Sequence, residues 1–124
     1  MAKYEFQVSV RPQYLPDHSD PDENRFVFAY TVTVRNTGDI TAKLLSRHWI
    51  ITNAEGRVEN VRGDGVVGEQ PVLQPGEAFE YTSGCPLETP VGSMRGTYYC
   101  VAEDGTRFET DIPEFVLSVP SRLH

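Results

Sequence analysis

Residues 25–36, RFVFAYTVTVRN, decide the fold class, because large apolar and smaller or polar side chains alternate along them. In a β-strand, successive side chains point to opposite faces of the sheet. One face of this segment would therefore carry a continuous row of large apolar side chains: Phe26, Phe28, Tyr30, Val32 and Val34. The segment predicts a β-strand with one buried face.

The same alternation recurs on both sides of this segment. It appears in four further stretches: YEFQVSV (4–10), LLSRHWIIT (44–52), EAFEYTS (77–83) and TRFETDIPEFVLSV (106–119). Turn-forming residues separate them, at 36–38, 53–56, 75–76 and 104–105. No stretch longer than a turn or two has a helical period. The pattern predicts an all-β protein, an antiparallel β-sandwich of seven to eight strands, with a small barrel as the alternative. Trp49 stands where an immunoglobulin-like core would use a tryptophan.

Composition limits the classes of partner. The chain has 124 residues, 39% of them hydrophobic, and a net charge of −7. This size predicts one domain over residues 1–124. The negative charge argues against nucleic acid and anionic membranes as partners. No apolar run approaches the roughly 20 residues of a membrane span, and the first residues alternate rather than forming a signal peptide. We therefore expect a cytoplasmic protein with Cys85 and Cys100 as reduced thiols.

Residues 63–68, Gly-Asp-Gly-Val-Val-Gly, match the G-x-G-x-x-G fingerprint of dinucleotide-binding enzymes. That fingerprint needs a helix that begins at its last glycine. Pro71 and Pro75 follow closely and prevent a long helix. Two interpretations remain. Either the glycines let a loop turn or bulge, or successive backbone N–H groups form a concave nest for an anion.

The candidate anion-binding residues are Gly63, Gly65, Gly68, Arg47 and Arg62. An arginine suits phosphate because its planar fork donates two hydrogen bonds at once. Arg47 alternates with apolar residues, so its guanidinium must find a partner or reach water. The structural alternatives to an anion are that it covers the sheet edge or pairs with a carboxylate such as Glu80. Asp64, inside the stretch, would repel an anion. We therefore favour the structural interpretation.

Residues 12–24, PQYLPDHSDPDEN, predict a mobile acidic loop with three prolines and no periodicity. Its weak candidates for metal ligands are Asp17, His18, Asp20 and Asp22. Divalent cations such as Mg²⁺ prefer oxygen ligands, but this spacing does not match the EF-hand loop. We predict no metal site and no cofactor, with a divalent metal or a nucleotide as the alternatives.

The sequence contains no recognisable catalytic motif. Ser83, His48 and several aspartates occur, but almost any chain of this length offers such a set, and no elbow of the form G-x-S-x-G is present. We interpret Cys85 as a loop residue that would react with a thiol reagent, although no cationic neighbour lowers its pKa. No catalytic residue is predicted.

Three segments resemble the ApaG family: RHWIITNAEG (47–56), residues 61–100 and IPEFVLS (112–118). The shared pattern is G-x-G-V-V-G-x-Q-P, then L-x-P-G-E-x-F-x-Y-x-S-G, then G-x-M-x-G-x-Y. The resemblance implies a fibronectin type III-like β-sandwich and an association with cobalt and magnesium homeostasis. It also implies a protein-interaction role, supposed for similar domains in eukaryotic proteins. Pyrophosphate or nucleotide binding has been proposed for the glycine loop, and the family has no settled enzymatic activity.

The stretch CVAEDGTRF (100–108) allows a hairpin loop of two residues, 104–105, or of three, 103–105. The two loops would turn opposite faces of the preceding strand inward. The resemblance favours the three-residue loop, because the family's recurrent tyrosine matches Tyr98. Tyr98 and Cys100 would then lie in the core, with Cys100 opposite Phe108.

The leading functional prediction is a non-enzymatic interaction module that binds a protein partner, with a homodimer as one form of that partnership. Its contact surfaces would be the sheet edges and the loops around residues 63–70 and 84–95, since loops on rigid sandwiches usually carry recognition. The alternative is a protein that binds, or even hydrolyses, small anions such as nucleotide polyphosphates through the glycine loop with Arg47 and Arg62. A third interpretation is a divalent-metal buffer that uses the acidic loop.

Overall fold

The computed structural model describes residues 2–120. Eight strands follow one another along the chain: β1 (Phe6–Tyr14), β2 (Phe26–Asn36), β3 (Ala42–Asn53), β4 (Val58–Asp64), β5 (Val72–Leu73), β6 (Ala78–Leu87), β7 (Val91–Ala102) and β8 (Arg107–Ser118). Two short 3-10 turns, Pro16–His18 and Pro21–Glu23, lie between β1 and β2. Nothing helical in residues 2–120 has the length and apolar character needed to traverse a bilayer.

The strands form two antiparallel sheets. The first sheet has the order β1-β2-β6, and the second has the order β4-β3-β7-β8, with β5 also pairing with β3. Two separate sheets exclude the barrel and confirm the predicted β-sandwich of seven to eight strands.

β2 is the central strand of the first sheet and alternates as the sequence predicts. Its inward row is buried throughout. Trp49 of β3 is 2% exposed. Its ring meets Tyr30 of β2 edge to face, and it meets Tyr98 and Phe115 of its own sheet in the same way. The tryptophan therefore joins the two sheets, and its core placement is confirmed.

One side of the sandwich is closed by β1 and β8, the outer strands on that side. The rings of Phe6 and Phe108 lie 5.5 Å apart, and Tyr4 packs against Phe108 as well. The Tyr4 hydroxyl donates to the Asp104 carboxylate at 2.6 Å, which lowers the pKa of that carboxyl group. On the opposite side, β4 and β6 are the outer strands, and a cleft opens between them.

The β7–β8 hairpin has the three-residue loop. The Ala102 N–H donates to the Thr106 carbonyl oxygen at 2.7 Å, and Gly105 has a φ of +89°. Cys100 stands opposite Phe108, and both Tyr98 and Cys100 are buried. The register that the resemblance favoured is confirmed.

Two strand boundaries differ from the prediction. β1 continues through Pro12 to Tyr14, so the irregular segment is shorter than residues 12–24, and the two 3-10 turns give part of it regular backbone. β6 continues through Cys85 to Leu87, so only residues 88–90 connect β6 to β7 and the predicted loop at 84–95 is wrong. The prolines and glycines of these segments were interpreted as signs of turns or loops. An outer strand tolerates proline, because half of its N–H groups face away from the sheet, and both β1 and β6 are outer strands.

We expect Trp49→Ala to lower the free energy of unfolding by about 3–5 kcal/mol, because a large buried aromatic side chain leaves a cavity that the sandwich cannot fill. That is a large part of the roughly 5–15 kcal/mol typical of a domain. Urea denaturation followed by circular dichroism measures the loss. An unchanged midpoint would contradict the core role of Trp49.

Candidate functional site

The glycine stretch interrupts one edge of the second sheet. β4 and β5 both pair with the same edge of β3, at 46–52 and 42–43 respectively. Between them, the Gly65 N–H donates to the Leu45 carbonyl at 2.7 Å, and the Leu44 N–H donates to the Pro71 carbonyl at 3.0 Å. The chain thus leaves the edge after Gly65 and returns to it at Pro71.

Residues 66–69, which lie away from the β3 edge, form a tight turn. Val66 and Glu69 exchange two backbone hydrogen bonds, of 2.7 and 2.9 Å. The two residues between them, Val67 and Gly68, have φ values of +43° and +82°. Positive φ at both central positions is typical of the two-residue turns of β-hairpins. Val66 is fully buried and anchors the turn in the core, whereas Val67 is exposed at its tip.

At Gly63 and Gly65, a side chain would overlap with neighbouring atoms. A Cβ atom at Gly65 would lie 2.3 Å from the Glu69 carbonyl oxygen, and its φ is +64°. A Cβ atom at Gly63 would lie 2.7 Å from the Arg47 guanidinium. These contacts support the structural interpretation of the glycines.

Arg47 reaches the glycine stretch from β3. It stands opposite Gly63 on one side and Tyr98 on the other, so its side chain extends along the inner face. Nη1 donates to the carbonyl oxygens of Asp64 at 3.1 Å and Gly65 at 2.9 Å. The stretch therefore presents carbonyl oxygens, rather than N–H groups, to this arginine.

The expected alternative partner of Arg47, Glu80, lies elsewhere. Its carboxylate accepts a hydrogen bond from Thr33 at 3.1 Å and forms an exposed ion pair with Arg11 at 3.7 Å. The pairing of Arg47 with Glu80 is therefore wrong. β6 turns Glu80 outward, because Tyr81 occupies the inward position next to it.

Arg62 stands opposite His48, one residue away from the Arg47–Gly63 pair. Because side chains alternate along a strand, Arg62 and Arg47 project to opposite faces of the sheet. Both line a shallow depression of about 370 Å³ beside Gly63. The N–H groups of Gly65 and Val66 already donate to the carbonyls of Leu45 and Glu69.

Two tyrosines connect the sheets beside Arg47. The hydroxyls of Tyr81 in β6 and Tyr98 in β7 hydrogen-bond to each other across the buried core. Burial raises the pKa of Tyr81 to about 12, and burial together with the Tyr81 hydroxyl raises the pKa of Tyr98 well above its usual range. Both side chains are neutral near pH 7, so they serve as a neutral cross-link between the sheets.

The cleft between β4 and β6, called here the seam cleft, is the main concave feature on the open side. One cavity of about 240 Å³ is lined from both sheets, by Tyr30, Arg47, Trp49, Ile51, Glu59, Val61, Ser83, Gly84, Cys85, Pro86 and Met94. A second cavity of about 520 Å³ shares Ile51, Glu59 and Pro86 with it. The two cavities form one groove along the seam.

Charged side chains line the lower end of the groove, formed by the second cavity. Glu23, Glu59 and Glu88 contribute carboxylates there, and Arg25 and Arg57 contribute guanidinium groups. Arg57 forms an exposed ion pair with Glu88 at 3.5 Å. Sequence reasoning did not identify this groove, because the weak alternation of residues 58–64 did not indicate a strand. The hairpin turn at Asn53–Gly56 was the signal that a partner strand follows β3.

The acidic segment between β1 and β2 carries the weak metal candidates Asp17, His18, Asp20 and Asp22, all exposed. Backbone hydrogen bonds hold the segment, including a bond of 2.8 Å from the Asp20 N–H to the Arg25 carbonyl. Across residues 2–120, no group of three or more His, Cys, Asp or Glu side chains is arranged to hold a metal ion.

Cys85 is buried in β6, so the interpretation of this cysteine as a reactive loop residue is wrong. Burial, and next the Glu59 carboxylate, raise the pKa of the Cys85 thiol to about 11. Burial raises the pKa of Cys100 to about 12, although a hydrogen bond with Thr110 lowers it in part. Neither thiol has the depressed pKa of a nucleophile.

Comparison with known proteins identifies the family. The family model described as the ApaG domain matches residues 16–102. The chain is 58% identical to Protein ApaG of Ralstonia nicotianae over 124 residues, which cover 100% of both chains. It is 60% identical to Protein ApaG of Bordetella pertussis over 121 residues, covering 98% of this chain and 92% of that protein. The crystal structure of the putative ApaA protein from Bordetella pertussis superposes with a TM-score of 0.95 at 59% identity, covering 98% of each chain.

We expect Gly65→Ala to be clearly more destabilising than Gly68→Ala. A Cβ at Gly65 meets a backbone carbonyl, whereas the space around Gly68 is open, so Gly68→Ala costs only the positive φ, about 1–2 kcal/mol. The free energy of unfolding of the two variants, measured by urea denaturation, makes the comparison. Equal losses would show that the contact with Glu69 does not restrict Gly65.

Both thiols should resist an aromatic disulfide reagent at pH 8 in the native protein and react fully in denaturant. Burial keeps them protonated, and labelling of Cys85 should stay slow until the pH approaches its pKa of about 11. Absorbance of the released thiol measures the rate. If native Cys85 reacted as fast at pH 8 as it does in the unfolded chain, the buried position would be refuted.

Proposed function

The chain belongs to the ApaG family, and on that premise we propose that it is a non-enzymatic interaction module that binds a protein partner along the seam cleft. The observation that carries this proposal is the difference between the two sides of the sandwich. β1 and β8 cover each other, whereas β4 and β6 flank an open groove whose floor includes Trp49 and Tyr30.

An outer strand offers unpaired backbone groups to another chain. β6 pairs over residues 78–87 with β2 and, within residues 2–120, with no other strand. Proteins commonly protect such edges with charges, prolines or a covering loop. An extended peptide that adds to a sheet edge gains main-chain hydrogen bonds, and pockets beside the edge select its alternate side chains. β6 together with the seam cleft has both features.

The turn at residues 66–69 and the end of β6 would border this surface. Val67 at the tip of the turn is 53% exposed. Exposed apolar side chains near a groove are typical of contact surfaces. We include residues 63–70 and 84–87 in the proposed surface on this ground.

The physiological setting follows from the same proposal. We place the module in the cytoplasm, where the free thiols of Cys85 and Cys100 would stay reduced. The net charge of −7 favours a protein partner over nucleic acid or an anionic membrane. We assign the family's association with cobalt and magnesium homeostasis to that partner rather than to direct binding of the metal.

Binding of a small anion or a nucleotide polyphosphate, with hydrolysis as an extension, is the alternative function. It would use Gly63, Gly65, Gly68, Arg47 and Arg62. The geometry gives it less support, because the N–H groups of Gly65 and Val66 already donate to backbone carbonyls and are not free for an anion. A saturable rise in melting temperature with pyrophosphate, lost in Arg62→Ala, would favour this alternative.

Site-specific photocrosslinking in living cells tests the interaction module. A benzophenone side chain at Ser83, which lines the seam cleft, should form a discrete adduct with a partner protein. The same group at Glu109, an exposed position of β8 away from β6 and the cleft, is the matched control and should form none. An adduct of twice the monomer mass would identify a second copy of the chain as the partner. Identical adducts from both positions, or none from either, would contradict the proposal.

A further inference from the structure

We propose that the partner segment is an extended strand that runs antiparallel to β6 and presents a basic, an apolar and an acidic side chain to the seam cleft at alternate positions. Read from its N-terminus, the segment has the pattern base–x–apolar–x–acid. This inference rests on the proposed function and adds the chemistry of the partner.

The spacing of the pattern comes from the inner face of the β3–β4 pair. Three consecutive inward pairs follow the cleft: Arg47 with Gly63, Trp49 with Val61, and Ile51 with Glu59. Neighbouring pairs are two residues apart, which is about 7 Å along a strand. A partner strand lying along the seam turns every second side chain inward at the same interval, so three successive inward side chains match the three pairs.

The upper end of the cleft, at the Arg47–Gly63 pair, suits a carboxylate. Nη1 of Arg47 is bound to the carbonyls of Asp64 and Gly65, which holds the guanidinium in place. Within residues 2–120, its Nη2 and Nε atoms have no hydrogen-bond acceptor, and Arg47 lines the cavity. A guanidinium fixed in this way can donate its two remaining groups to one carboxylate in the bidentate geometry.

The middle of the cleft suits an apolar side chain. Trp49, Val61, Met94 and Tyr30 surround this part of the cavity. Trp49 and Met94 are almost fully buried, whereas Val61 is half-buried and remains partly open to the groove. Covering Val61 with a valine-sized side chain removes the apolar area of both side chains from water.

The lower end, at the Ile51–Glu59 pair, suits a cation. Glu59 is exposed, and it takes part in no ion pair within the described part of the chain. Glu23 and Glu88 line the same cavity, together with Arg25 and Arg57, and Arg57 is already paired with Glu88. The carboxylates outnumber the guanidinium groups by one, so one further positive charge would neutralise this end of the cleft. The stem of a lysine or arginine would pack along Ile51 and Leu87, while its charged head meets Glu59.

The direction of the partner follows from the direction of β6. Tyr81 hydrogen-bonds to Tyr98, which stands opposite Arg47, and Leu87 lines the lower cavity together with Glu59. β6 therefore runs from the upper end of the cleft to the lower end. The strand pairs of this sandwich are antiparallel, and antiparallel ladders are slightly more stable per residue. An antiparallel partner enters at Glu59 and leaves at Arg47, which places its basic residue first.

The test uses two synthetic peptides of equal composition. The first is acetyl-Thr-Lys-Thr-Val-Thr-Glu-Thr-amide, and the second exchanges its lysine and glutamate. Amide chemical shifts of the isotope-labelled protein are followed during titration. We expect the first peptide to give saturable shifts along β6 and at the Trp49 indole. It should bind about tenfold more tightly than the second peptide, because the exchange of lysine and glutamate replaces two partly exposed attractive charge pairs by repulsive ones.

Charge exchange on the protein completes the test. Glu59→Lys should abolish the preference for the first peptide, and a peptide with glutamate at both charged positions should then become the best ligand. Glu109→Lys makes the same change of charge at an exposed position of β8, away from the cleft, and should leave the preference intact. Denaturation midpoints confirm that both variants are folded.

The outcomes separate this inference from the proposed function. If neither peptide shifts β6 resonances although the Ser83 crosslink forms, the charge pattern is wrong and the interaction module stands. Equal or reversed affinities of the two peptides would likewise overturn the pattern. Absence of both the crosslink and the peptide shifts would overturn both proposals.

Discussion

The contact between Trp49 and Tyr30 sets the relation between the two sheets on their open side. The ring centroids lie 5.3 Å apart and meet edge to face, a favourable geometry for aromatic pairs. The neighbouring hydrogen bond between Tyr81 and Tyr98 ties β6 to β7. Together these contacts hold β6 across from β4 without bringing the two strands together. The width of the seam cleft, and with it the proposed site, depends on this pair of contacts.

Residues whose surroundings are local could be predicted from the sequence. The inward row of β2 and the core position of Trp49 follow from alternation within one strand. The local sequence left two hairpin loops open at 103–105, and the family resemblance, which assigned Tyr98 to the core, favoured the correct one. Cys85 and the end of β6 could not be predicted in this way. Gly84 and Pro86 indicate a turn unless the strand is known to be an outer one, and that is a property of the assembled sheet.

The sequence identified individual residues of the candidate site but not their positions relative to one another. The sequence pointed to the glycines and to Arg47, and the structure places Arg47 directly against that stretch. The separation of Arg47 from Arg62 depends on the register of β3 with β4, in which a shift of one residue exchanges the faces. The seam cleft depends on which strands are left at the edges. Neither the register of two strands nor the set of edge strands can be deduced from a short stretch of sequence.

The outer position of β6 has a consequence for the life of the protein in the cell. An uncovered strand edge is a template for pairing with other chains and for aggregation. β1 and β8 shield each other, and Glu59 of β4, together with Arg57 just before that strand, lines the cleft with charge, which opposes extension of the sheet. On β6, only Glu80, which is paired with Arg11, and Pro86 near the end of the strand serve this purpose. A partner that covers β6 would therefore also act as a solubility factor, and overproduction without that partner would favour insoluble protein.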